Sequence, residues 1–221
     1  MEALREILYV AVACCVVVPI PSRAQVPEKA QLQNFMSGEI HRALITRALA
    51  AVPPVEFQRC PGLVSPPSRI AVLRPFSFSA DSTPEAGLWK ESFPVQGCGN
   101  DTVLNFYFIV LGDGKINTLI GVPGTTIADL REQHDALFFA QAGAAKRSWM
   151  CREFLVSNSF FKGFGSVDPP IIDPGAGAVY RPWWEIWVLN GCGHRYEVTL
   201  TFVPDGVGTK IVGPVLGVGE D

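Results

Sequence analysis

Trp89-Lys-Glu91-Ser-Phe93-Pro-Val95-Gln-Gly97-Cys98-Gly99 occurs again, 94 positions on, as Trp183-Trp-Glu185-Ile-Trp187-Val-Leu189-Asn-Gly191-Cys192-Gly193. Tryptophan, glutamate, an aromatic, an aliphatic and Gly-Cys-Gly fall at matching places. Each copy alternates with period two and reads as a strand. Trp89, Glu91, Phe93 and Val95 then share one face, and Trp183, Glu185, Trp187 and Leu189 share its counterpart. The glycines beside each cysteine allow a tight turn into the next strand.

The pattern extends outward from both copies. Leu104, Phe106, Phe108 and Val110 alternate downstream of the first. Val198, Leu200 and Phe202 alternate with Glu197, Thr199 and Thr201 downstream of the second. Asp113-Gly114 and Asp205-Gly206 then mark hairpin turns.

Upstream, Leu32, Phe35, Met36, Ile40, Ala43, Leu44 and Ala48 recur at helical spacing and predict a helix over 28–51, ended by Pro53-Pro54. Ile127, Leu130, His134, Leu137 and Phe138 predict a second helix over 127–142, with a capping-box-like start at Thr126 and Asp129. His41-Arg-Ala43-Leu44 matches His134-Asp-Ala136-Leu137, and Cys60 matches Cys151. Each unit therefore reads as helix, Cys-bearing strand, strand, Trp strand, then a last strand and return. Ser79–Gly87 and Asp168–Ala178 read as loops. The expected fold class is α+β: a pseudo-two-fold tandem duplication, each half one long helix packed on an antiparallel sheet. The units are 25–123 and 124–221.

The chain has 221 residues, 48% of them hydrophobic and 18% charged, a globular composition. Ile7–Ile20 is an apolar run followed by Pro21-Ser22-Arg23-Ala24, the layout of a signal peptide over 1–24 cut before Gln25. The other reading is an uncleaved membrane anchor, but the run is shorter than the ~20 residues of a membrane span, which favours cleavage, and no span is expected after it. The residues ahead of Cys14 and Cys15 make a weak lipidation box. The net charge is −3, and the absence of a basic patch in the sequence argues against nucleic acid as a partner.

Cleavage leaves Cys60, Cys98, Cys151 and Cys192, an even number that in an exported chain reads as two disulfides. Zinc prefers close cysteine pairs, so neither a metal nor a cofactor is expected. Three pairings are open. Cys60–Cys98 with Cys151–Cys192 is preferred because it staples each unit internally.

The sequence contains no Gly-x-Ser-x-Gly, His-Glu-x-x-His or Walker motif. His134, with Asp135 beside it, and the repeated Glu91 and Glu185 are the acid/base candidates. Against them stand plainer roles: a helix-border histidine, and glutamates bonded at a sheet margin. The reverse face of the duplicated strand is more distinctive. It carries Lys90, Ser92, Pro94 and Gln96 in the first copy but Trp184, Ile186, Val188 and Asn190 in the second. Trp184, Ile186 and Val188 need a cover, either the other unit or a bound partner. The expected function is an exported, non-catalytic protein that binds a partner protein or cell-envelope component. The alternative is a hydrolase acting on an envelope polymer through Glu185 or His134.

Trp187-Val-Leu-Asn190-Gly191-Cys192-Gly193, with Tyr196, Val198, Phe202, Pro204 and Asp205, resembles short motifs in uncharacterised small exported proteins of Gram-negative bacteria. Pro123-Gly124-Thr-Thr, Ala128-Asp129 and His134-Asp135-Ala136 also look like theirs. The resemblance covers the second half of the chain. It implies periplasm or secretion and supplies no catalytic residue. The first unit departs from it at Asn100 and Asp101.

Overall fold

The computed structural model describes residues 28–52, 67–96, 101–166, 171–172, 179–206 and 208–213. The expected signal peptide and the expected Cys60–Cys98 bridge lie outside them. Ten strands and three helices occur among the described residues. In chain order they are α1 (Glu28–Ser37), α2 (Glu39–Ala50), β1 (Arg69–Phe78), β2 (Pro84–Val95), β3 (Thr102–Val110), β4 (Ile116–Ile120) and α3 (Leu130–Arg147). There follow β5 (Leu155–Phe164), β6 (Ile171–Ile172), β7 (Val179–Tyr180), β8 (Trp183–Gly191), β9 (His194–Pro204) and β10 (Thr209–Val212). Strands β1-β2-β3-β4 form one antiparallel sheet and β10-β9-β8-β5 a second, while β6 and β7 pair as a small separate ribbon.

The duplicated stretch forms the inner strands β2 and β8. Trp89, Glu91, Phe93 and Val95 are buried, as are Trp183, Glu185, Trp187 and Leu189. Trp89 lies opposite Phe108 and Trp183 opposite Phe202, and in each pair the rings stack with centroids 4.9 Å apart. Such cross-strand aromatic pairs stabilise a sheet beyond simple burial. The turns follow the sequence. Gly114 (φ 77°) and Gly206 (φ 88°) bend the two hairpins that Asp-Gly marks. Cys192 (φ 49°) and Gly193 (φ 79°) make the two-residue turn between β8 and β9, whose twist needs positive φ at both positions.

The expected α+β class, with one long helix on each of two equivalent sheets, is overturned. Strand dominates, and the helices are short. The expected helix over 28–51 breaks at Gly38, whose extended backbone (φ −78°, ψ 170°) caps α2 instead of continuing α1. The apolar spacing runs through this break because it records which residues face inward, not whether the backbone is continuous. The second helix begins at Leu130, three residues late. Its capping box is Asp129 with Glu132: the Asp129 carboxylate accepts from Glu132 N at 2.8 Å, and the Glu132 carboxylate accepts from Asp129 N at 2.7 Å. Its buried stripe is Gln133, Ala136, Ala140, Gly143 and Ala144. His134 and Phe138, expected on the inner face, are exposed. The small residues let α3 lie close over the sheet, whose own Trp183, Trp187 and Phe202 fill the core. Cys151 lies before β5, not in a strand, and residues 84–87 belong to β2 instead of a loop.

The two sheets meet through the segment 121–128. Gly121 N and Gly124 N donate to Asn105 O and Val103 O of β3, each at 2.8 Å. On the other side Thr125 N donates to Ser159 O of β5 (2.8 Å), and Ser159 Oγ donates to Pro123 O (2.6 Å). Asn105 Nδ2 donates to both Val122 O and Gly124 O. Gly124 has φ 105°, and a Cβ there would come within 2.1 Å of Ser159 O, so only glycine fits this crossing. Gln133 of α3 seals the junction. Its Oε1 accepts from Val122 N (2.8 Å), and its Nε2 donates to Ala128 O (2.7 Å) and Tyr107 Oη (3.0 Å). Burial raises the Tyr107 pKa above its ordinary value, partly offset by the Gln133 bond, so the phenol stays neutral. Tyr107→Phe is expected to cost about 1 kcal/mol, read as a lowered urea midpoint at neutral pH, because one buried amide donor loses an acceptor. A group with a raised folded pKa stabilises below its unfolded pKa and less above it. The wild type is therefore expected to lose its advantage over Tyr107→Phe as pH rises beyond about 10.

Candidate binding cleft

Where α2 ends, β4 ends and β5 begins, a cleft of about 620 Å³ opens between the sheets. Its apolar walls are Val52, Leu104, Phe106, Ile120, Pro123, Leu155 and Val156. Asn105, Glu153, Ser157 and Asn190 are its polar side chains, and Gly191, Cys192 and Gly193 form one rim. Leu155 is 63% exposed, so part of this apolar wall is open to solvent.

The rim is held covalently. Cys192, in the β8–β9 turn, is bridged to Cys151, with Cα atoms 5.8 Å apart. Gly191 is packed so closely that a Cβ would meet the Phe154 ring at 2.6 Å and Glu153 O at 2.7 Å. The Gly-Cys-Gly sequence thus supplies a close backbone approach, a covalent anchor and a positive φ in three consecutive residues.

The reverse face of β8 runs toward the same cleft. Trp184 is 39% exposed, Ile186 half-buried and Val188 2% exposed. Asn190, next on that face, pairs with Leu155 of β5, and both line the cleft. One strand face therefore passes from an open tryptophan to a closed valine and then into the cleft wall.

The acid/base candidates do not come together. Glu185 is fully buried, and its carboxylate accepts from Ile127 N (3.0 Å), Trp183 Nε1 (3.1 Å) and Trp187 Nε1 (2.8 Å). Three donors occupy it, and it lines no part of the cleft. His134 is exposed and lies 3.4 Å from its neighbour Asp135, at a shallow depression with Phe138 and Thr209–Ile211. His194 is exposed in β9. Glu91, the counterpart of Glu185, has different partners: His41 Nε2 at 2.9 Å and Ser68 Oγ at 2.5 Å. This buried His41–Glu91 pair ties α2 to β2 and was legible only in part, as the matched histidines of the two helices. Trp89 Nε1, the positional counterpart of Trp183 Nε1, is buried with no hydrogen-bond partner among the described residues. Lys90 lies 5.5 Å over the Tyr107 ring; burial lowers its pKa and the Glu185 carboxylate opposes that.

Among the described residues no group of three or more histidine, cysteine, aspartate or glutamate side chains is placed to hold a metal, and no helix is long and apolar enough to cross a membrane. Comparison with protein-family models, with curated proteins and with solved structures finds no match.

Proposed function

We propose that this is an exported, non-catalytic protein, periplasmic or secreted, which binds an apolar group of a partner protein or cell-envelope component in the cleft between its sheets. The observation that carries the reading is the cleft itself. Its volume falls within the roughly 300–1,000 Å³ of small-molecule sites, and apolar walls with a few polar groups are the usual lining of such sites. Trp184, Ile186 and Val188 lie on the same face of β8 as Asn190 of the cleft wall but do not line the cleft themselves, and of the three Trp184 is the open one. Export is supported by the Cys151–Cys192 bridge, by the apolar run at Ile7–Ile20 and by the resemblance to exported Gram-negative proteins. No observation favours the hydrolase alternative, since the carboxylate of Glu185 is spent on structure and His134 stands apart from it.

The test is a titration of the full chain with N-phenyl-1-naphthylamine, an uncharged dye that brightens in apolar sites. Wild type is expected to bind it, and Leu155→Asp to bind it at least about tenfold more weakly, since bound dye would cover this open leucine and full burial of such a side chain contributes about 1.5–3 kcal/mol. The exposed position of Leu155 leaves thermal stability near wild type. Equal dye affinity in the two proteins would show that the cleft is not the apolar site.

A further inference from the structure

The stretch Lys146-Arg147-Ser148-Trp149-Met150-Cys151-Arg152 closes α3 and leads toward β5. Cys151 N donates to Ser148 O at 3.0 Å, which folds 148–151 into a turn. Trp149 and Met150 occupy its two central positions and are 85% and 75% exposed. Central turn positions normally go to glycine, proline, asparagine, aspartate or serine, for backbone reasons that neither tryptophan nor methionine serves. Nor do these side chains serve the core. The turn is nonetheless firmly held: Ser148 N donates to Ala145 O, and Cys151 is buried and bridged to Cys192. Two large apolar side chains are thus presented to solvent on a fixed mount. Phe138, 71% exposed, stands on the outer face of α3, with Ala142 and Lys146 in helical steps between it and Trp149.

The charges around this tip have one predominant sign. Lys146, Arg147 and Arg152 are exposed around it, against the carboxylate of Glu153, with Asp135 a second carboxylate farther off beside Phe138. The whole chain carries −3, so the excess of cations is local. Tryptophan favours the boundary between lipid headgroups and acyl chains, where its ring is apolar and its N–H is wet, and nearby cations meet anionic headgroups. A turn tip also offers little of the roughly 800 Å² that each partner buries in a stable protein interface.

We propose that the Ser148–Cys151 turn, aided by Phe138, docks the protein on an anionic phospholipid bilayer. Trp149 and Met150 enter the headgroup boundary, and Lys146, Arg147 and Arg152 pair with lipid phosphates. Across the Cys151–Cys192 bridge lies the rim of the cleft, so docking sets the cleft beside the bilayer. The docking itself does not depend on what the cleft binds.

The experiment mixes the full chain with phosphatidylglycerol–phosphatidylethanolamine vesicles whose brominated acyl chains quench indole emission on contact. Contact of Trp149 with lipid is the readout, not sedimentation, because sedimentation does not separate the tip from the apolar run at Ile7–Ile20. Trp89, Trp183 and Trp187 are buried, and Trp184, 39% exposed on β8, is common to both proteins, so the difference between wild type and Trp149→Phe isolates the tip. Quenching is expected in the wild type and is expected to fall in Trp149→Phe to the small share that the part-exposed Trp184 contributes. The triple change Lys146→Glu, Arg147→Glu, Arg152→Glu is expected to weaken it on the order of 100-fold, and ~1 M salt to abolish it. All these positions are exposed, and unchanged unfolding temperatures serve as the check on folding. Identical quenching in wild type and Trp149→Phe would overturn the proposal, as would equal quenching by pure phosphatidylcholine. A wild-type dimer that Trp149→Phe turns into a monomer, without lipid quenching, would assign the tip to a second copy and overturn it too.

Discussion

Glu185→Ala is expected to destabilise the protein by about 3–6 kcal/mol, a large part of the ~5–15 kcal/mol that holds a domain of this kind together. The carboxylate is fully buried and takes three donors: the backbone N–H of Ile127 and the indoles of Trp183 and Trp187. Alanine leaves the two buried indoles and the part-buried Ile127 N–H unpaired, at about 1–3 kcal/mol for each buried donor. It also opens a cavity beneath two tryptophans. Water is unlike the carboxylate in shape and cannot restore the geometry without ordering in a site walled by indoles. Because Ile127 lies in the segment that joins the sheets, the damage extends to the junction. Urea unfolding followed by tryptophan emission and by far-ultraviolet circular dichroism measures the loss. A decrease below about 1 kcal/mol would show that the three bonds add little to the fold.

The second large effect is expected from Cys151→Ser combined with Cys192→Ser. The bridge spans 41 residues, and in the chain-entropy model a loop of that length contributes about 4 kcal/mol by restricting the unfolded chain. The native state loses something as well. Cys192 sits at φ 49° at the cleft rim, a conformation that side chains other than glycine, asparagine and aspartate rarely adopt. Without the bridge, that turn is free to relax. Thermal unfolding of the double variant and of the reduced wild type is expected to agree, both well below the oxidised protein. Dye affinity in the cleft is expected to fall with them, since the bridge holds one wall. Full retention of stability on reduction would contradict the first expectation, and unchanged dye binding would contradict the second.

The sequence by itself determined the two duplicated strands and their faces. The alternation in Trp89–Val95 and Trp183–Leu189 is a property of neighbouring residues, and a strand sends successive side chains to opposite sides whatever surrounds it. The Asp-Gly turns and the Gly-Cys-Gly turn are local for the same reason: positive φ is a requirement of the backbone at those positions. The pairing of Cys151 with Cys192 was reachable too, as the preferred one of three open possibilities.

The helices and the cleft were decided by the tertiary structure. Spacing of large apolar residues predicted an inner stripe through His134 and Phe138, yet α3 buries Ala136, Ala140 and Ala144. The sheet already supplies the bulk with its tryptophans, so the space left for the helix suits small side chains. Gly38 broke the first helix within an unbroken apolar pattern, because periodicity reports a face and not backbone continuity. The same limit applies to Trp184, Ile186 and Val188. They share one strand face but range from 39% to 2% exposed, because burial is set by which distant segment passes over each residue. The donors that occupy Glu185 show this most plainly. Trp183 and Trp187 were visible beside it in the strand, but Ile127 N reaches it only because the segment 121–128 runs between the sheets, a contact across 58 positions that no local pattern encodes.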